Sequence, residues 1–242
     1  MFLRISYFLL YTILYKNLKS QKNILYVSKN LKRLIEQEVY DAIDEIADEF
    51  KLNVPIYPEV YYVHKNLKFE SLGYVKEHKE SFQISKYENE SFSSFKPSFI
   101  FIGTWNTWHI FEEAGHFLHI SQSNLKIGKR SQHDVLATHV LDEMIGYFCS
   151  KIGNSSRKPM FRNLPDAIHE REKCIKITEK NGWDFYEFLV YQQGYGLGEK
   201  LFNYYISNII SRKKIKKLFT NPLEKKNEAL LTFHKLKNNI LE

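Results

Sequence analysis

Apolar residues recur at helical spacing in the segment that begins at Leu31. The spacing predicts a helix that buries one face against a core. The apolar positions are Leu31, Leu34, Ile35, Val39, Ala42, Ile43, Ile46 and Phe50.

The next segment has a different pattern. β-branched and aromatic residues dominate "LNVPIYPEVYYV", and this composition predicts a strand. Pro55 and Pro58 indicate that this strand begins irregularly or lies at a sheet edge. A second strand or a hairpin is expected in "SLGYVKEHKESFQISKY", and a buried strand in "KPSFIFIG".

The pattern becomes helical again at "TWNTWHIFEEAGHFLHI", for which Thr104 or Asn106 would be the N-cap. A polar loop follows, and from Val135 onward nearly every segment has helical spacing. Strands that are segregated from helices favour an α+β fold class. The three glycines of "GYGLG" lack the strand–turn–helix setting of a phosphate loop, so we expect them to let two helices pack closely or to break one.

Composition adds limits but no function. The chain has 242 residues and a net charge of +7, with a lysine-rich C-terminal end that we interpret as a solvated helix face. No specific nucleic-acid partner is predicted, because no recognition motif accompanies the charge. Cys149 and Cys174 are expected to be buried thiols, which fits a cytoplasmic protein. The apolar run in residues 1–15 is too short to cross a bilayer, and we expect a packed helix, with a peripheral contact with a membrane or a signal-like segment as the alternatives.

The segment "HIFEEAGHFLHI" carries the candidate chemistry. At about 100° per residue, its acidic and imidazole side chains share one arc of roughly 120°. Burying such a face is costly unless something compensates, and a divalent cation would do so directly. The five residues are His109, Glu112, Glu113, His116 and His119.

"FEEAGHFLH" resembles the active-site helix of the gluzincin-type, zincin-like zinc metallopeptidases, whose motif is H-E-x-x-H. Gly115, His116 and the base Glu113 match that helix, and Glu112 stands in place of the first histidine. The resemblance implies a zincin-like α+β fold with a small mixed sheet, a backing helix and a metal-site helix, and a third ligand, Glu143, on the next helix. It implies one zinc ion, a peptide or protein substrate, and Glu113 as the general base. We expect an N-terminal helical segment (1–30), a zincin-like metal-site region (31–152) and a C-terminal helical region (153–242) packed together as one domain.

The replacement of histidine by Glu112 makes iron or manganese more competitive with zinc, because it adds a carboxylate to the site. His139 lies four residues before Glu143 and is a further candidate metal ligand, or else a supporting, packing or solvent-exposed residue. Tyr195 is a candidate donor to a developing oxyanion. Trp105 and Trp108 would be buried or would line a substrate cleft.

Three alternatives to a metal-dependent peptidase stay open. A zincin-like protein with a decayed catalytic site would bind a partner without cleaving it. A di-iron carboxylate protein would share the E-x-x-H spacing of Glu113 and His116, although the chain lacks a second such motif. A structural reading leaves the polar face hydrogen-bonded and free of metal.

Overall fold

The computed structural model describes residues 29–54, 56–62, 91–95, 98–102, 106–122, 132–159, 166–168 and 170–220. Six helices contain most of them. The elements in chain order are α1 (Lys29–Phe50), β1 (Glu59–Tyr62), β2 (Ser91–Phe95), β3 (Ser98–Ile102), α2 (Thr107–Gln122), α3 (Gln132–Gly153), α4 (Arg171–Asn181), α5 (Trp183–Ile206) and α6 (Arg212–Thr220).

The three strands form one small sheet in the order β1-β3-β2. β3 pairs in parallel with β1, with Glu59 opposite Phe99, and antiparallel with β2, with Phe95 opposite Ser98. β1 follows Pro58 directly and is an edge strand, which is one of the two possibilities that Pro55 and Pro58 indicated. Ile100 and Ile102 of the central strand are fully buried, in agreement with the buried strand predicted there.

Helix α2 lies at the centre of the described structure, because α1, α3, α6, β2 and β3 all pack on it. Every residue from Ile110 to His119 is buried, polar residues included. α1 buries most of the apolar face that its periodicity predicted, including Val39, Ile43 and Ile46, which are inaccessible to solvent, whereas Leu34 is exposed. Phe50 at the end of α1 stacks on Phe219 of α6, so the last described helix closes the same core.

Helix α3 is the second central element and packs on both α2 and α5. Glycines make the approach of α5 possible: a Cβ at Gly194 would lie 2.3 Å from the Cβ of Glu143, and one at Gly198 would lie 2.7 Å from the carbonyl oxygen of Met144. The "GYGLG" segment therefore lets two helices pack closely, which is one of the two roles that we predicted for it, and α5 runs through it unbroken.

The predicted fold class, α+β and zincin-like, is wrong. Helices hold most of the described residues, whereas the three strands have only four or five residues each and form a minor layer beside α2. The physical reason is that the described core is built mainly by helices that pack on one another, α2 on α3 and α3 on α5, while the strands add Val60, Ile100 and Ile102 to it.

Several expectations fall outside the described residues. They include the strand or hairpin in 71–87, the segment 1–15 and its membrane contact, and Trp105. In the described part of the chain, no helix has the length and apolar character needed to cross a membrane. α6 buries Ile215, Leu218 and Phe219 and leaves lysines such as Lys213 and Lys217 exposed, which matches the solvated basic face expected there.

Candidate metal centre

Helix α2 begins at Thr107, and Asn106 is its N-cap. The Asn106 Oδ1 accepts a hydrogen bond of 2.9 Å from the backbone N–H of His109. This fulfils the role predicted for Asn106 and satisfies one of the donors that every helix start leaves unpaired. One turn further on, Glu112 and Glu113 are each only 4% exposed, so the two carboxylates lie inside the protein.

Three of the predicted ligands lie together. Glu112 and His116 from α2 and Glu143 from α3 each offer one ligand atom, and these atoms lie within 4.8 Å of one another. The His116 Nε2 is 3.8 Å from the Glu143 Oε2. This buried group could hold a metal ion.

The residues fit a divalent cation in a second respect. Within the described structure, the buried Glu112 Oε1 and Glu143 Oε2 have no hydrogen-bond partner. A buried carboxylate oxygen without a partner carries a desolvation cost that a cation would remove. Two carboxylate oxygens and one imidazole nitrogen are suitable ligands for zinc, iron or manganese.

Asp142 orients His116, although we did not identify it from the sequence. Its Oδ2 is 3.1 Å from the His116 Nδ1, and its Oδ1 is 2.7 Å from the His119 Nδ1. The ion pair on Nδ1 leaves the His116 Nε2 directed toward Glu143. A carboxylate on the far nitrogen is the usual support of a metal-binding histidine. His119 therefore belongs to this supporting layer rather than to the group of ligand atoms.

Gly146 of α3 makes room for the His116 ring. A Cβ at this position would lie 2.2 Å from the His116 Nε2 and 2.5 Å from its Cε1. On the other side of the same helix contact, a Cβ at Gly115 would lie 2.7 Å from the Sγ of Cys149. The imidazole can reach Glu143 because α2 and α3 cross at these two glycines.

A second residue that we did not identify from the sequence, Arg157, lies beside Glu112. Its Nη1 donates a hydrogen bond of 2.9 Å to the Glu112 Oε2 and one of 2.7 Å to the Ser150 Oγ. The guanidinium carbon lies over the rings of Trp108 at 3.9 Å, Tyr147 at 4.6 Å and Tyr195 at 5.0 Å. These aromatic faces favour a cation and replace part of the hydration that the buried arginine has lost.

Burial and neighbouring charges together shift the pKa values of several side chains in the centre. Burial raises the pKa of Glu143 to about 8, against the attraction of His116 and with the help of Asp142 and Glu112. Burial alone would lower the pKa of His116, but Asp142 and Glu143 raise it well above its usual value. Asp142 is held far below its usual pKa, since His116 and His119 outweigh its burial. Burial, and then the charge of Arg157, lowers the pKa of His109 to about 4.

The remaining candidates have different surroundings. Tyr195 borders the centre, where burial and the charges of Glu112 and Glu143 raise its pKa well above its usual value. The structure does not bring His139 into the ligand group. The His139 Nδ1 instead lies 3.0 Å from the Tyr186 hydroxyl of α5. Trp108 packs its ring on Arg157.

The two cysteines are buried and free, as expected. Burial, together with the charge of Glu112, raises the pKa of Cys149 well above its usual value, so its thiol stays protonated. A protonated thiol is a poor metal ligand.

Comparison with known proteins adds no family to this geometry: no family model, no curated protein and no solved structure matches the chain.

Proposed function

We propose that this protein is a metal-dependent hydrolase with a single divalent cation held by Glu112, His116 and Glu143, and that its substrate is a peptide bond. The observation that carries the proposal is the convergence of three ligand atoms within 4.8 Å, two of them from carboxylates with an unpartnered buried oxygen. Zinc is the first candidate, and iron or manganese would also suit two carboxylates and one imidazole.

A cation in this position would supply an acidified water molecule and would polarise a substrate carbonyl. Glu113 is the residue that we propose as general base. It is buried on α2 next to Glu112, and its charge contributes to the raised pKa of His116. A carboxylate there can accept a proton from water and return it to the leaving amine.

Tyr195 is the proposed donor to the oxyanion that develops on the substrate. Its raised pKa keeps the hydroxyl protonated at neutral pH, and an O–H group near a developing negative charge stabilises it. Its side chain hydrogen-bonds Glu112, and its ring lies 5.0 Å from the guanidinium carbon of Arg157, so the hydroxyl is held beside the proposed ligands.

The Arg157–Glu112 ion pair favours a second candidate, a centre that holds no metal. In that case the guanidinium compensates Glu112, Asp142 pairs with the Nδ1 atoms of His116 and His119, and the fold serves binding rather than hydrolysis.

Metal analysis and one substitution separate the two candidates. About one zinc, iron or manganese ion per purified chain supports the hydrolase, and no metal after incubation with zinc supports the second candidate. Glu113→Gln should then lower the rate of cleavage of a quenched fluorescent peptide library at least about hundredfold while retaining the metal. Glu179→Gln, at an exposed position on α4, is the matched control and should leave the rate unchanged. Equal rates for both variants would eliminate the catalytic role of Glu113.

A further inference from the structure

We infer that Arg157 cancels the extra negative charge of Glu112, so that the Arg157–Glu112 pair acts at the metal as a neutral ligand would. This inference rests on the proposed metal centre. Such a pair would let a glutamate take a ligand position without adding a net negative charge to the centre.

Arg157 is held in place from several directions. Its guanidinium hydrogen-bonds Glu112 and Ser150 and is enclosed by three aromatic rings. Its backbone carbonyl accepts a hydrogen bond of 2.6 Å from the Lys151 Nζ, and the Lys151 Nζ is also 3.3 Å from the Glu199 Oε2. Its side chain is only 12% exposed, so its charge acts with little screening by water.

The two carboxylate oxygens of Glu112 have different surroundings. Oε2 accepts the hydrogen bond from Arg157, whereas the buried Oε1 has no partner within the described structure. One carboxylate can therefore hold the guanidinium and offer an oxygen to a cation at the same time. A guanidinium that is hydrogen-bonded to Oε2 withdraws electron density from Oε1. Oε1 then donates less electron density to a bound metal ion.

The net charge of the centre supports the same conclusion. A dication with Glu112, Glu143 and a neutral His116 is neutral overall, and Arg157 brings the total to one positive charge. A dication with two imidazoles and one carboxylate also carries one positive charge. Glu113 and Asp142 lie beside the ligands in both arrangements and leave this comparison unchanged, so the pair is equivalent in charge to one imidazole.

The test compares zinc affinities, measured by competition with a chromophoric chelator, for wild type, Glu112→His, and the double variant Glu112→His with Arg157→Gln. In the single variant the guanidinium has lost its carboxylate and repels the zinc, so affinity should fall at least about tenfold. The double variant replaces the neutral Arg157–Glu112 pair by a neutral histidine and a neutral glutamine. It should therefore bind zinc within about tenfold of wild type. Arg157→Lys retains the charge and should also stay within about tenfold.

Each result separates the inference from the proposed function. No zinc bound by wild type would refute the metal centre itself. Zinc bound by wild type, with a double variant more than tenfold weaker, would overturn the inference alone, and so would a double variant no tighter than a folded Glu112→His. If the unpaired arginine unfolds the single variant in circular dichroism, the comparison of the double variant with wild type still decides.

Discussion

Substitution of Gly146 by alanine should remove His116 from the metal centre. The added Cβ would lie 2.2 Å from the His116 Nε2, whereas ordinary contact begins at 3.4 Å, so the ring must move by about 1.2 Å. Metal–ligand distances tolerate only about 0.2 Å, so a shift of that size ends coordination. We expect zinc affinity to fall at least about hundredfold.

The stability change should be much smaller than the loss of binding. Overpacking costs about 1–3 kcal/mol, and replacing glycine by alanine within a helix returns up to about 1 kcal/mol. The free energy of unfolding of the metal-free protein should therefore fall by about 0–3 kcal/mol.

Gly153→Ala is the matched control, because its Cβ would lie 2.4 Å from the Phe111 ring on the same pair of helices but away from the ligand atoms. It should show a similar loss in urea denaturation and near-normal zinc binding in the chelator competition. Normal zinc binding by Gly146→Ala would refute the position assigned to His116, and an equal loss in both variants would show that the effect is general disruption.

Three further predictions concern protons and supporting residues. Asp142→Asn should weaken zinc binding about 10- to 100-fold in the chelator competition, because the neutral amide no longer supports His116; unchanged binding would refute its orienting role. Tyr195→Phe should lower kcat of peptide cleavage at least about tenfold with metal content unchanged, and an unchanged kcat would exclude it as oxyanion donor. In the metal-free protein, Glu143 and His116 bind protons more tightly when folded, so their stabilisation is present at low pH and is lost as pH rises. Between pH 6.5 and 8 the fall is at most about 1.4 kcal/mol per pH unit for each group, whereas below pH 6.5 the lowered pKa of His109 acts in the opposite direction. Thermal unfolding with a chelator should show the decline between pH 6.5 and 8, and rising stability over that range would contradict it.

Local patterns were sufficient to predict much of the fold. The apolar periodicity of α1, the Asn106 cap and the buried strand β3 depend on neighbouring residues, and each is present. The fold class was wrong because strand propensity in 52–63 says nothing about strand length, and among the described residues of this segment only Glu59–Tyr62 pair with β3. How completely α3 and α5 would enter the core depends on long-range packing, which periodicity does not measure.

The candidate site divides in the same way. Glu112 and His116 are one helical turn apart, so the sequence alone places them on one face. Glu143 required the family resemblance, which supplied an acidic ligand on the following helix. Asp142 carried a weak signal, an acidic neighbour of Glu143 with two histidines spaced i,i+3 on the facing helix. Arg157 carried none, because its contact with Glu112 depends on the chain reversal after α3.

The contact between Cys149 and Gly115 provides a built-in reporter for opening of the protein. A thiol reagent can reach the Cys149 Sγ only when α2 and α3 separate, because the sulfur fills the space against the Gly115 backbone. The rate of alkylation at this cysteine, resolved from that at Cys174 by peptide mass, would therefore measure how often the two helices that carry the candidate ligands come apart.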